Sequence, residues 1–117
     1  MYFVLFVLHN PDLCEDVLNA WEEAGVHGVT ILPSTGLNRI QKRALLEDMP
    51  LMPSLEDFFS THEDGNRTMF TILQGDQLID PIVAATEKVV GKLDEPETGI
   101  LIVLPVIRAF GLQKNYQ

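Results

Sequence analysis

Tyr2–Leu8 reads Tyr-Phe-Val-Leu-Phe-Val-Leu, a run of seven residues that is apolar at every position. It shows no alternation of apolar and polar residues, and it is too short to span a membrane. Val and aromatic residues dominate it, and a polar stretch, His9–Asp12, follows it. These properties predict a β-strand covered on both faces. Such a strand belongs at the centre of a sheet, with the other strands beside it.

The composition indicates an acidic, folded chain. The 117 residues suit one domain with a modest core, and 46% of them are hydrophobic. A formal charge of −9 argues against a nucleic-acid-binding protein, because a phosphate backbone would be repelled. No apolar run reaches membrane-spanning length, so we expect no membrane insertion. The lone Cys14 can form no internal disulfide, which suits a reducing cytoplasm.

Two segments show the three- and four-residue spacing of amphipathic helices. Asn10 or Asp12 can cap the first helix, and Gly25 stands where a helix ends. Trp21 lies on the apolar stripe of this helix, and we expect it in the core. The second helix is expected over residues 77–90.

Three further strands are expected at residues 26–32, 68–73 and 100–104. Residues 34–67 form a long insert between the second strand and the third. The insert contains two helix-like pieces, separated by a Met-Pro-Leu-Met-Pro run. A connection of this length in a small domain is usually functional or else mobile.

The order of these elements predicts the fold class. Two strand–helix–strand units with right-handed crossovers form an α+β, ferredoxin-like βαββαβ sandwich. We therefore expect residues 1–117 to be a single domain with a four-stranded antiparallel sheet, two helices on one face and a long, partly helical insert between strands 2 and 3. The other face of the sheet would expose apolar side chains, so we expect the chain to self-associate.

Two parts of the chain resemble the PII family of nitrogen-regulatory signal-transduction proteins. Residues 28–31 (Gly-Val-Thr-Ile) and 36–42 (Gly-Leu-Asn-Arg-Ile-Gln-Lys) are similar to the family's Gly-hydrophobic-Thr strand and its Gly-Phe-Gly-Arg-Gln-Lys segment. Residues 91–93 (Gly-Lys-Leu) and 99–106 (Gly-Ile-Leu-Ile-Val-Leu-Pro-Val) are similar to its Gly-Lys-Ile-Gly-Asp-Gly-Lys-Ile-Phe-Val-hydrophobic-Pro-Val segment.

The resemblance implies a homotrimer whose clefts between subunits bind an adenine nucleotide such as ATP or ADP. It also implies that residues 34–67 dock onto a partner enzyme, transporter or regulator. The ligand-binding residues that it implies are Thr30, Gly36, Asn38, Arg39, Gln41, Lys42, Gly91, Lys92 and Gly99.

The chain departs from the family pattern in its second segment. Asp94, Glu95 and Glu97 make the glycine-rich turn longer and acidic, and Ile100 stands where the family has a lysine. Carboxylates repel a polyphosphate by roughly a kcal/mol per close pair at high effective dielectric. A PII-like protein with an altered effector therefore fits better than an ATP sensor of the usual kind.

The residue chemistry alone also favours an anion site. Arg39 can offer a bidentate guanidinium fork, and Lys42 and Lys92 add point charges. Gly91 and Gly99 would let backbone N–H groups approach a ligand. The alternative is that the basic residues around Arg39 form a solvated helix face.

The run at the centre of the insert is a candidate partner-binding tip. Met49, Leu51 and Met52 are flanked by prolines, and Met-rich surfaces adapt to varied partners. The alternative, which we favour, is that these side chains pack with the other large apolar residues of the insert as a small satellite core.

Catalysis and metal binding have less support. No nucleophile has a plausible nearby base and no Walker pattern is present, so we expect no catalytic residue and no enzyme. Metal ligands converge, whereas His9, His27 and His62 are scattered. The alternative function is a metal-binding protein of the divalent-cation-tolerance kind, or a purely structural oligomer, with the same fold. Cys14 could be activated near the start of its helix, but we favour burial.

Overall fold

The computed structural model describes residues 1–36 and 65–112, and their four strands form one antiparallel sheet. The elements in chain order are β1 (Tyr2–Leu8), a 3₁₀ turn (Pro11–Leu13), α1 (Cys14–Ala24), β2 (Thr30–Ser34), β3 (Asn66–Leu73), α2 (Ile79–Val90) and β4 (Gly99–Pro105). The order across the sheet is β2-β3-β1-β4. The ferredoxin-like α+β fold and the interior position of β1 are thus confirmed. Residues 37–64, which include most of the insert, lie outside the described part of the chain.

The first helix begins and ends as its local chemistry dictates. Asn10, rather than Asp12, caps the 3₁₀ turn that precedes α1, because its Oδ1 accepts the Asp12 backbone N–H at 3.0 Å. The 3₁₀ turn leads directly into α1, which ends at Gly25 with a left-handed φ of 114° that glycine adopts readily. In the described part of the chain, no helix has the length and apolar character needed to cross a membrane.

The core lies between the sheet and the two helices. Val4, Phe6 and Leu8 alternate along β1 and are at most 1% exposed, because successive strand residues point to opposite faces. Trp21 of α1 and Ile82 of α2 are completely buried in the same cluster. Trp21 is therefore a core residue, as the sequence predicts.

The opposite face of the sheet, here called the open face, is covered by no helix of the described residues. The register of the strands assigns to it the side chains of Phe3, Leu5, Val7, Phe70, Ile72, Ile100, Ile102 and Leu104. The three β4 residues Ile100, Ile102 and Leu104 are 54%, 41% and 51% exposed. The rings of Phe3 and Phe70 pack with their centroids 5.2 Å apart. This face is apolar and at its β4 edge open to solvent.

The second strand begins later than the expected 26–32. Val26 is 4% exposed and donates its N–H to the Trp21 carbonyl at 3.0 Å, so it lies just beyond α1 and takes part in closing that helix. At the other end the strand continues through Pro33, which pairs in register with Arg67. A proline is tolerated there because β2 is an edge strand, where an N–H can be missing without breaking the ladder.

Candidate functional site

A groove of about 820 Å³ opens where β2 begins and β3 ends. Residues 25–30 form one wall, residues 70–74 form the other, and the remaining described lining comes from Gln77, Leu78 and Leu112. Thr30 is the predicted ligand-binding residue that lies in this lining. Thr30 therefore lies where it could contact a ligand bound in the groove.

Hydrogen bonds hold the wall formed by residues 25–30. The Gly25 N–H donates to the Glu22 carbonyl at 3.0 Å, which closes α1 just before the wall begins. The Thr71 hydroxyl donates to the Gly28 carbonyl and so ties this irregular segment to β3. Thr71 is 6% exposed and lies on the core side of its strand, whereas Gly28 is exposed, so the bond joins the core to the surface.

The described walls of the groove are almost free of charge. They include the side chains of His27, Gln74 and Gln77, with apolar contributions from Ile72 and Leu78, and contain no carboxylate, lysine or arginine. Such a lining offers hydrogen-bonding and apolar contacts. It suits the uncharged part of a ligand better than a phosphate.

The turn between α2 and β4 carries three more predicted site residues. Gly91 ends α2 with a φ of 93°, and its N–H donates to the Glu87 carbonyl at 3.0 Å. The Leu93 N–H donates to the Glu87 carboxylate at 2.9 Å. Lys92, between these two residues, is exposed. The turn therefore presents one cationic side chain on a hydrogen-bonded backbone.

The remainder of the turn is ordered by backbone and hydroxyl contacts. The Glu95 N–H donates to the Lys92 carbonyl at 3.0 Å, and the Thr98 hydroxyl donates to the Glu95 carbonyl at 3.0 Å. Gly99, with a φ of 141°, starts β4 directly against Phe6. Besides Lys92, the exposed charged residues of this turn are the acids Asp94, Glu95 and Glu97. The carboxylates that the sequence places here are thus on the surface, where they disfavour a highly charged anion.

Within one chain these two parts of the candidate site lie on opposite edges of the sheet. Thr30 and Gly36 belong to the β2 edge, and Gly91, Lys92 and Gly99 to the β4 edge. Three strand spacings of about 4.8 Å separate the edges, or roughly 14 Å. The fold therefore brings together Gly91, Lys92 and Gly99, and it leaves Thr30 and Gly36 on the other side.

Seven predicted site residues lie outside the described part of the chain. They are Asn38, Arg39, Gln41, Lys42, Met49, Leu51 and Met52. Their roles in ligand and partner binding remain predictions.

No family model matches the chain. A search of curated proteins finds no match either. The resemblance to the PII family accordingly depends on the motifs quoted above.

The part of the chain that the structure describes contains a free cysteine, Cys14, but no candidate metal site. Among residues 1–36 and 65–112, no group of three His, Cys, Asp or Glu side chains could hold a metal ion. The Cys14 Sγ lies 3.9 Å from the Met69 Sδ and is half-buried. Burial raises the pKa of the Cys14 thiol, and the positive charge of Arg67 opposes this only in part. Desolvation thus makes this thiol less acidic than an exposed one.

The structure adds two residues to the site that the sequence analysis missed. Thr71 could have been noticed as a polar residue at a core-facing position of an apolar strand. Glu87 could have been noticed as an acid one helical turn before the glycine that ends α2. In both cases the pattern indicates a polar side chain that requires a hydrogen-bond partner. The partner itself can be identified only from the structure.

Proposed function

We propose that this protein is a PII-like signalling and regulatory protein of the cytoplasm, a non-enzymatic homotrimer that binds a small anionic effector between its subunits. The effector is an adenine nucleotide or a related molecule, and the insert after β2 transmits its binding to a partner protein. The observation that best supports this proposal is the division of the candidate site between the two edges of one sheet.

A head-to-tail contact between copies would join these edges. It would set the β4 edge of one subunit, with Lys92, against the β2 edge of the next, with Thr30. Repeated head-to-tail contacts close into a ring, and three subunits is the number in the family that the chain resembles. A two-fold contact joins like edges instead, and each cleft would then have only one part of the residue set.

The open face supports self-association independently of the ligand. With four strands about 4.8 Å apart and seven residues of about 3.3 Å each, it measures roughly 19 by 23 Å. Exposed apolar patches of several hundred Å² usually mark interaction sites. Covering this patch with further copies removes Ile100, Ile102 and Leu104 from water.

A nucleotide panel tests the effector. ATP, ADP, AMP and cyclic nucleotides are screened by thermal shift and calorimetry against the wild type, Lys92→Ala and Arg39→Ala. We expect at least one nucleotide to raise the melting temperature, and each substitution to weaken its binding by about tenfold through loss of a charge-assisted contact. Lys88→Ala, one helical turn before Lys92, is the matched control and should bind as the wild type does. A panel without any shift would contradict the nucleotide proposal.

A mixing experiment tests whether each cleft draws on two subunits. Thr30→Asp and Lys92→Glu each damage one part of the site, and neither variant alone should bind the nucleotide. In mixed trimers about a quarter of the clefts combine two intact parts from different subunits, so binding should return to about that level. No recovery on mixing would place both parts in one subunit. A stable trimer that binds nothing would favour the structural-oligomer alternative.

A further inference from the structure

We propose that Glu87 is the positioning residue of the anion-binding turn, the residue that fixes the backbone on which Lys92 is presented. This inference rests on the proposed function and names the residue on which that site depends.

Both neighbours of Lys92 donate a backbone hydrogen bond to Glu87. The Gly91 N–H donates to the backbone carbonyl of Glu87 at 3.0 Å, and the Leu93 N–H donates to its side-chain carboxylate at 2.9 Å. One residue therefore accepts the backbone N–H groups of both residues that flank Lys92. A carboxylate that accepts a backbone N–H makes a charge-assisted bond, which is stronger than one between neutral groups.

The position of Glu87 explains how the backbone of the turn stays hydrogen-bonded beyond the end of α2. Helix ends have unsatisfied backbone groups, and the residues beyond a helix are usually the first to lose order. Here the carboxylate reaches from the last turn of α2, six residues back in sequence from Leu93, and satisfies an N–H beyond the helix. The Lys92 carbonyl is satisfied in turn by the Glu95 N–H at 3.0 Å.

This arrangement matters for binding because a preorganised cation loses less conformational entropy when it meets its ligand. Glu87 also places a negative charge in the same turn, which by itself opposes an anion. Loss of the positioning role predicts weaker binding of the ligand when Glu87 is changed. Loss of the negative charge predicts tighter binding. This difference makes the two roles separable.

The test compares Glu87→Gln with Glu87→Ala. Glutamine keeps a side-chain oxygen that can accept the Leu93 N–H, whereas alanine has none, and both remove the charge. We expect Leu93 amide hydrogen exchange, followed by NMR, to be at least about tenfold faster in Glu87→Ala and close to wild type in Glu87→Gln. For ADP, we expect calorimetry to give about tenfold weaker binding to Glu87→Ala and equal or tighter binding to Glu87→Gln. Glu23→Gln, which removes a charge from the last turn of α1, controls for overall charge.

The outcomes are distinguishable. Equal Leu93 exchange in all three proteins, or an equal change of ADP affinity in both variants, would overturn the positioning role. If the wild type does not bind ADP at all, the nucleotide proposal fails, while the exchange measurement still decides whether Glu87 holds the turn. Protection of the α2 amides in both variants would show that the helix itself remains folded.

Discussion

A buried hydroxyl links the two helices at the level of single residues. The Trp21 indole N–H donates to the Thr86 Oγ1 at 2.8 Å, and the Thr86 hydroxyl donates to the Ile82 carbonyl at 2.7 Å. Trp21 and Thr86 are both completely buried. The hydroxyl thus serves as acceptor and donor at once, and no water can replace it.

Thr86→Val should destabilise the protein although it hardly changes the size of the side chain. It leaves the Trp21 N–H buried without a partner, which costs about 1–3 kcal/mol. Equilibrium urea unfolding measures this loss, and Thr86→Ser, which keeps the hydroxyl, should be affected less. In the background of Trp21→Phe, which has no N–H, the cost of Thr86→Val should be smaller. Equal costs in both backgrounds would show that the hydrogen bond contributes nothing.

Gly99→Ala should also destabilise, for a steric reason. Gly99 has a φ of 141°, and a Cβ there would lie 2.5 Å from the Phe6 ring and 2.6 Å from the Val7 carbonyl oxygen. Backbone strain and overpacking together should cost at least about 2 kcal/mol in a urea titration. Gly36→Ala is the matched control, since nothing lies within 4 Å of its Cβ position, and it should stay within about 0.5 kcal/mol of wild type. Similar stability of the two variants would refute the close approach of β4 to Phe6.

At the level of elements, the sequence predicts strands and helices best where the causes are local. Tyr2–Leu8 could be predicted with its observed bounds because a continuous apolar run and a polar stop coincide there. Gly25 could be predicted to end α1 because few other residues adopt its backbone angles easily. The start of β2 could not, because Val26 looks like a strand residue and its N–H is used by the helix before it.

In the candidate site, too, features with local causes can be predicted from sequence and features that depend on distant contacts cannot. Thr30, Lys92 and the glycines are predicted as site residues from sequence because their segments resemble a known pattern, and their roles remain predictions. The groove beside Thr30 and the contact of Glu87 with Leu93 could not be predicted, because each joins elements whose relative placement the chain pattern does not contain.

Cys14, the first residue of α1, should make the protein less stable in alkali. Burial raises the pKa of its thiol in the folded chain above that in the unfolded chain. The stabilisation from the protonated thiol is complete below the unfolded pKa, near 8.5, and is lost as the pH rises through the higher folded pKa. We therefore expect the stability of the wild type, relative to Cys14→Ala, to fall above about pH 8.5 in urea titrations.

Thiol labelling provides a second measurement of the same effect. At pH 8 the native protein should react with a disulfide reagent more slowly than the urea-unfolded chain does. A relative stability that rises with pH, or faster labelling of the native protein, would contradict this expectation. It would mean that the charge of Arg67 lowers the pKa of the Cys14 thiol more than burial raises it.

For the whole molecule, the main physical problem is the apolar open face. Ile102 lies in the middle of β4 on this face and is 41% exposed in the single chain. A chain of 13.1 kDa with formal charge −9 should otherwise repel its own copies. Association therefore depends on the apolar contact being stronger than this repulsion.

If the proposed trimer forms, Ile102→Glu should convert it into a monomer without unfolding the chain. A carboxylate on the open face would be buried between subunits without a partner, which is strongly unfavourable. Light scattering should give about 39 kDa for the wild type, three times 13.1 kDa, and about 13 kDa for the variant. Ala84→Glu adds the same charge on the exposed side of α2 and should leave the trimer intact. A wild type that is monomeric at micromolar concentration would exclude the proposed clefts.

The central place of β1 has a consequence for biosynthesis. This first strand pairs with residues 67–73 on one side and 99–105 on the other, so its second neighbour is synthesised long after it. At roughly 5–20 residues per second, the nascent strand waits roughly 5–20 s for that neighbour. During this time β1 can pair with β3, while its other edge stays unpaired. We expect the sheet to be completed only once β4 has emerged, with chaperones shielding β1 until then.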